Sequence, residues 1–250
     1  MKRQADLYPD HKIAGLPLIR LSSLRLLFLL ALAHAAAAQT YAPLGRDSLT
    51  RHGYTLVFVN RDSAFSPATK QRMTEAFFTV YPREARRFNR QTRRRVTFVI
   101  NPAYRGVAAT DNGLVDYSPK WLREHPEDID VVTHEVMHIV QAYPNGSAPG
   151  WLTEGIADYA RYRYGVNNPA GHWALPAYQP GQHYTNSYRI AARFLVWLEQ
   201  HGHPRLVDRL DAAARAGRYS PALWQQQTGK TLDELWTAYA ANPAVQLAYR

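Results

Sequence analysis

The chain has no cysteine. Disulfides, thiolate metal sites and cysteine nucleophiles are therefore excluded. It also lacks an apolar run of the ~20 residues needed to span a bilayer. The one apolar stretch is Leu26-Leu27-Phe28-Leu29-Leu30-Ala31-Leu32-Ala33, preceded by Lys2, Arg3, Lys12, Arg20 and Arg25 and followed by Ala35-Ala36-Ala37-Ala38. A basic lead, a short apolar core and a small-residue end predict a secretory signal cleaved near Ala38, with no stable membrane anchor. Acidic residues are the third scarcity. Residues 39–250 carry 25 Lys/Arg against 18 Asp/Glu, a formal net of +7.

Much of that excess is Arg83, Arg86, Arg87, Arg90, Arg93, Arg94 and Arg95. One reading is attraction to anionic cell-wall or surface polymers. The simpler one is a solvated helix end and loop. No nucleic-acid fold signature is present. Residues 39–250 contain no internal repeat or low-complexity linker, and their length suits a single domain with a sizeable core.

The chain is organised around Val131-Val132-Thr133-His134-Glu135-Val136-Met137-His138-Ile139-Val140. On a helix, His134 and His138 share one face, one turn apart, where two imidazole nitrogens can reach one zinc ion. Glu135 sits at the rim of that face, placed to take a proton from water at the metal. Two histidines one turn apart can also be surface residues. Here the flanks are apolar, and buried histidines beside a buried glutamate are costly unless paired or metal-bound.

Trp151-Leu152-Thr153-Glu154-Gly155-Ile156-Ala157-Asp158-Tyr159 follows a turn-rich segment. A catalytic zinc takes three protein ligands, and Glu154 supplies a third. Asp158, four residues on, can accept the other ring N–H of a ligand histidine. A third histidine six residues after His138 would indicate another zinc class, but that position is Pro144.

Tyr54–Asn60 and Arg95–Ile100 read as strands. Ser66-Pro67 opens a helix that runs to Pro82 or resumes beyond it to Phe88. Residues 106–117 read as a hairpin around Asn112-Gly113. We expect it to present an edge strand beside the metal, with Val107, Ala108 and Ala109 contacting an extended peptide. Ser118-Pro119 starts a short helix, and Pro126 or Asp128 lies near the start of the His134 helix. A loop from Asn167 to Thr185 is long for a compact domain, and such loops are often functional. Helices follow over 188–198, 204–214 and 232–241, with a short one opened by Ser220-Pro221. Strands first, metal helices in the middle and helices last make an α+β chain.

These motifs, with Tyr188 and Ala192-Arg193-Phe194-Leu195, resemble the basic secretory protein family, peptidases of plants and bacteria. The resemblance covers nearly all of 52–245. That family is similar to zinc metallopeptidases of the His-Glu-x-x-His plus glutamate group. It implies a zincin-like fold: a small N-terminal mixed sheet, an active-site helix and a mostly helical C-terminal half. It implies zinc on His134, His138 and Glu154, and Glu135 as base. Fifteen residues separate His138 from Glu154, fewer than in better-known members of the wider group, which keeps Asp158 open as the third ligand.

The expected function is a secreted, extracellular or periplasmic, zinc-dependent peptidase acting on peptides or proteins. Tyr188 is the candidate donor to the oxyanion of the tetrahedral intermediate, with His183 second. Core packing accounts for Tyr188 equally well. The alternative function is a secreted defence or cell-wall, carbohydrate-binding protein that retains zinc without turnover.

Overall fold

The strands that build the sheet alternate as sequence requires. Leu56 and Phe58, Val96, Phe98 and Ile100, and Val115 and Tyr117 point to one face and are buried in the main core. Val57, Val59 and Val99 form a small patch on the other face. The computed structural model describes residues 43–249, all within one compact unit, Ala38–Arg250. The expected leader, 1–38, lies outside the described residues.

The sheet has five strands: β1 (Gly45–Arg51), β2 (Tyr54–Asn60), β3 (Arg95–Ile100), β4 (Ala108–Asp111) and β5 (Leu114–Tyr117). Their order is β1-β2-β3-β5-β4, with β2, β3 and β5 parallel and both outer strands antiparallel to their neighbours. It is thus a small mixed sheet in an α+β chain. β1 has no counterpart in the sequence reading. Its side chains are almost all exposed, so no apolar alternation marks it, and only backbone pairing makes it a strand. The β4–β5 turn falls on Asn112 and Gly113, both at positive φ (48° and 86°), as a type I′ hairpin turn needs.

Helix α1 (Pro67–Arg87) is capped by Ser66 and runs unbroken through Pro82. Proline forfeits one helical N–H, but Tyr81, Glu84 and Ala85 around it are buried, and packing overrides the local preference. Helix α2 (Pro119–Glu124) leads to α3 (Val131–Gln141) and α4 (Gly150–Tyr164). The last-turn carbonyls of α3, which lack helical partners, are satisfied from beyond α1. Thr92 Oγ1 donates to Ile139 O at 3.2 Å and Asn89 Nδ2 to Val140 O at 2.9 Å.

The helical half comprises α5 (Tyr188–Gln200), α6 (Leu206–Arg215), α7 (Ala222–Thr228) and α8 (Leu232–Ala241). Helices α4 and α5 pack closely at Gly155, where a Cβ would lie 2.8 Å from the Cβ of Ala191. Arg87 joins the two halves. It donates to Asp208 (2.6 Å), Glu199 (3.0 Å) and the Tyr159 hydroxyl (2.8 Å). The expectation of a solvated arginine run therefore fails at Arg87, whose guanidinium is a bridge among α1, α4, α5 and α6. No helix among the described residues is long and apolar enough to cross a membrane.

Candidate active site

Helix α3 places His134 and His138 one turn apart, and α4 brings Glu154 to them. His134 Nε2 lies 3.2 Å from His138 Nε2 and 3.1 Å from Glu154 Oε2, and His138 Nε2 lies 3.5 Å from the same carboxylate oxygen. The three can hold a metal ion. Ligands about 2.0–2.1 Å from a tetrahedral zinc ion stand about 3.3–3.4 Å from one another. The observed spacings fit that arrangement.

The remaining ring nitrogens are engaged elsewhere. His134 Nδ1 is 2.7 Å from Asp158 Oδ1. His138 Nδ1 is 2.7 Å from Gln141 Oε1, and the Gln141 amide is oriented because its Nε2 donates to Thr153 O at 2.9 Å. With Nδ1–H donating in both rings, both Nε2 lone pairs face the common point. Of the two carboxylates held open as third ligand, Glu154 completes the cluster and Asp158 stands behind His134.

Electrostatics point the same way. Burial opposes charge on His134, but Asp158 and Glu154 outweigh it and raise its pKa to about 10. Burial likewise works against the Glu154 carboxylate, yet its hydrogen bonds to both histidines hold it well below the usual carboxylate range. Without a metal, the cluster attracts a proton strongly. The same field favours a dication.

Glu135, on the next helical position, is buried but faces the cleft. Thr110 of β4 donates its hydroxyl to Glu135 Oε2 at 2.6 Å, and the same Oγ1 lies 3.0 Å from Glu135 O. The edge strand therefore lies against the active-site helix. In the β4–β5 hairpin, the pairs Asp111–Leu114 and Ala109–Asp116 exchange ladder bonds, and Ser118 N donates to Val107 O. That alternation turns the main chain of Ala108 and Thr110 outward. Val107 and Ala109 face β5 instead, so only Ala108 of the three expected peptide contacts offers its backbone to the free edge. The Tyr104 hydroxyl already occupies Ala108 O at 2.9 Å, which leaves Ala108 N–H and both groups of Thr110.

Tyr188 opens α5 beside the cluster of His134, His138 and Glu154. Its ring stacks on that of His134 with centroids 6.2 Å apart, and it is 54% exposed, which does not match a core role. Ser187 and Tyr188 both have positive φ, 66° and 46°. Such backbone costs about 1–3 kcal/mol per residue and collects at functional sites. His183, by contrast, does not line the cleft. It caps the short 3-10 turn Tyr184–Asn186 and packs on Tyr184 and Trp236.

These groups line one cleft of about 1030 Å³. Its far wall comes partly from the long loop, through His172 and Trp173. There Arg161 pairs with Asp128 at 2.5 Å and lies over the Trp173 ring, while Trp121 Nε1 donates to Asp128 at 2.8 Å. Gln141 and Thr110 were missed in sequence. The first had a signal, three residues after His138 on the same helix. The second depends on hairpin placement and had none.

Solved structures share the fold, among them the following two. One is an M1 zinc metallopeptidase from Deinococcus radiodurans, a variant bound to a Tyr-Ser-Ala substrate, at 14% identity and a TM-score of 0.50, covering 83% of this chain and 54% of that one. The other is a two-domain M1 zinc metallopeptidase variant bound to L-arginine, at 15% identity and a TM-score of 0.50, covering 83% and 53%. The chain thus spans about half the length of these structures. No curated protein matches its sequence. The family described as peptidase of plants and bacteria matches residues 47–239. The chain belongs to that family of peptidases.

Proposed function

We propose that the protein is a secreted zinc-dependent peptidase with Glu135 as general base. The observation that carries this reading is the 3.1–3.5 Å triangle of two Nε2 atoms and one carboxylate oxygen, which fits tetrahedral zinc and leaves a fourth position for water or substrate. Zinc bound there supplies Lewis acidity and lowers the pKa of its water to about 7.

The chain's own residues do the rest. Asp158 and Gln141 fix both imidazole tautomers. Thr110 holds Glu135 Oε2, leaving Oε1 to take the proton of the attacking water and pass it to the leaving amine. Tyr188 donates its hydroxyl to the carbonyl oxygen as negative charge develops there. The nearby Glu154 carboxylate, with burial, raises the Tyr188 pKa, so the hydroxyl keeps its proton. An unchanged kcat in Tyr188→Phe would remove it from this role. An extended peptide lies along the β4 edge, bound by the free main-chain groups of Ala108 and Thr110. Secretion rests on the leader ending near Ala38, and N-terminal sequencing of exported protein tests it; an intact leader would contradict it.

Metal analysis of the purified protein, paired with a proteome-derived peptide library, tests the main reading. About one zinc per chain and chelator-sensitive cleavage are expected. Stoichiometric zinc without cleavage would favour a binding protein, and absence of bound zinc would exclude both readings.

A further inference from the structure

A second cavity, of about 300 Å³, shares no residue with the zinc cleft. The β1–β2 turn, the end of α1 and the approach to β3 border it. Arg86, Arg90, Arg94 and His52 line it beside Tyr54, and no carboxylate does. Two nearby arginines are neutralised: Arg51 pairs with Glu75, and Arg87 with Glu199 and Asp208. Among the described residues, Arg86, Arg90 and Arg94 form no ion pair. Arg86 complements the carbonyl end of α1. Arg90, just past the helix, also reaches that end, its Nε donating to Arg86 O at 3.5 Å, whereas Arg94 lies beyond it. Arg94 lies over the ring of buried Tyr54, 4.7 Å from its centroid, which orients its guanidinium at the wall.

We propose that this pocket is an oxyanion site that takes one phosphate or sulfate group, either as the free ion or as an ester carried on a polymer. Like charges gathered in a concavity repel unless an anion joins them. Guanidinium forks match oxyanions in pairs of N–H bonds. A planar carboxylate presents two oxygens and suits one fork. A tetrahedral group offers oxygens in several directions to forks arriving from a helix end and a strand approach. The cavity volume is ample for such a group.

Calorimetric titration of the full chain at low salt tests this. The probes are inorganic phosphate, inorganic sulfate and poly(glycerol phosphate). One saturable site per chain is expected. Arg90→Gln and Arg94→Gln should each weaken binding about tenfold. The double variant Arg163→Gln/Arg218→Gln removes twice the charge of either pocket variant, from exposed positions outside the pocket, and should change it less than about twofold. Saturation by an inorganic ion identifies the free anion as ligand, and saturation by the polymer alone identifies the ester. Equal losses in pocket and control variants would reduce the pocket to diffuse charge and overturn the proposal. So would a lack of saturable binding to all three probes. Melting curves of each variant check that the fold is kept.

Discussion

The Thr110 hydroxyl, on the edge strand, donates to the Glu135 carboxylate, on the active-site helix, at 2.6 Å. One hydrogen bond thus fixes the base and ties it to the strand where peptide would lie. Thr110→Val keeps the shape and removes the donor. A hydrogen bond to a charged group contributes about 1.5–3 kcal/mol, so kcat should fall by about tenfold or more with zinc content unchanged. An unaltered kcat would show that Glu135 needs no such support.

The tautomer-fixing contacts behind the histidines give a second expectation. Asp158→Asn and Gln141→Leu should each weaken zinc affinity about 10–100-fold without removing a ligand. Competition with a chromogenic chelator measures this. Should Asp158→Asn lose zinc as completely as His134→Ala while Glu154→Ala keeps it, the third ligand has been misassigned.

On the edge strand, the third expectation separates Ala108 from its neighbours. Proline is tolerated at an outward N–H of an edge strand. Ala108→Pro deletes one free donor and should raise KM roughly fivefold with zinc content unchanged. Steady-state kinetics on a short peptide would detect it; an unchanged KM places the substrate elsewhere.

Much of this site was readable before the fold. His134, Glu135, His138, Glu154 and Asp158 come from two helices whose spacing alone puts them on facing sides, and the short Ala142–Pro149 connection forces α4 back on α3. β2 and β3 were legible because their core faces alternate. β1 was not, since an exposed edge has no pattern to read. Thr110 became a site residue only through strand order, which places β4 beside α3. Gln141 was hidden by its position at the end of an apolar helix. Hairpin register decides which backbone groups of 107–110 face outward, and composition carries no trace of it. The start of α3 falls at Val131, a few residues past Pro126 and Asp128, with Asp130 as N-cap; its carboxylate makes no capping bond because it accepts from the main chain of Val166 and Asn167.

A fourth expectation concerns Glu84. It is fully buried, and among the described residues neither carboxylate oxygen has a hydrogen-bond partner. Burial, opposed in part by His134, raises its pKa well above 4.5. Between 4.5 and that raised value, the unfolded chain has released the proton and the folded chain keeps it. Folding stability then falls as pH rises, by about 1.4 kcal/mol per pH unit. Glu84→Gln has no proton to keep, so its stability relative to the parent should grow with pH across the same window. Chemical denaturation from pH 5 to 8 measures it. Parallel stability curves would show that Glu84 is not held as a neutral acid.

The most direct test of the central claim is Glu135→Gln, with zinc content and peptide cleavage measured on matched samples. The amide is nearly isosteric, and Glu135 lies outside the ligand triangle, so zinc content and melting temperature should stay close to the parent's. The amide is no base at neutral pH, and general-base catalysis contributes about 10²–10⁴-fold. Cleavage should therefore fall by at least that range. Equal cleavage by the two proteins at equal zinc content would contradict the assignment of Glu135 as the base.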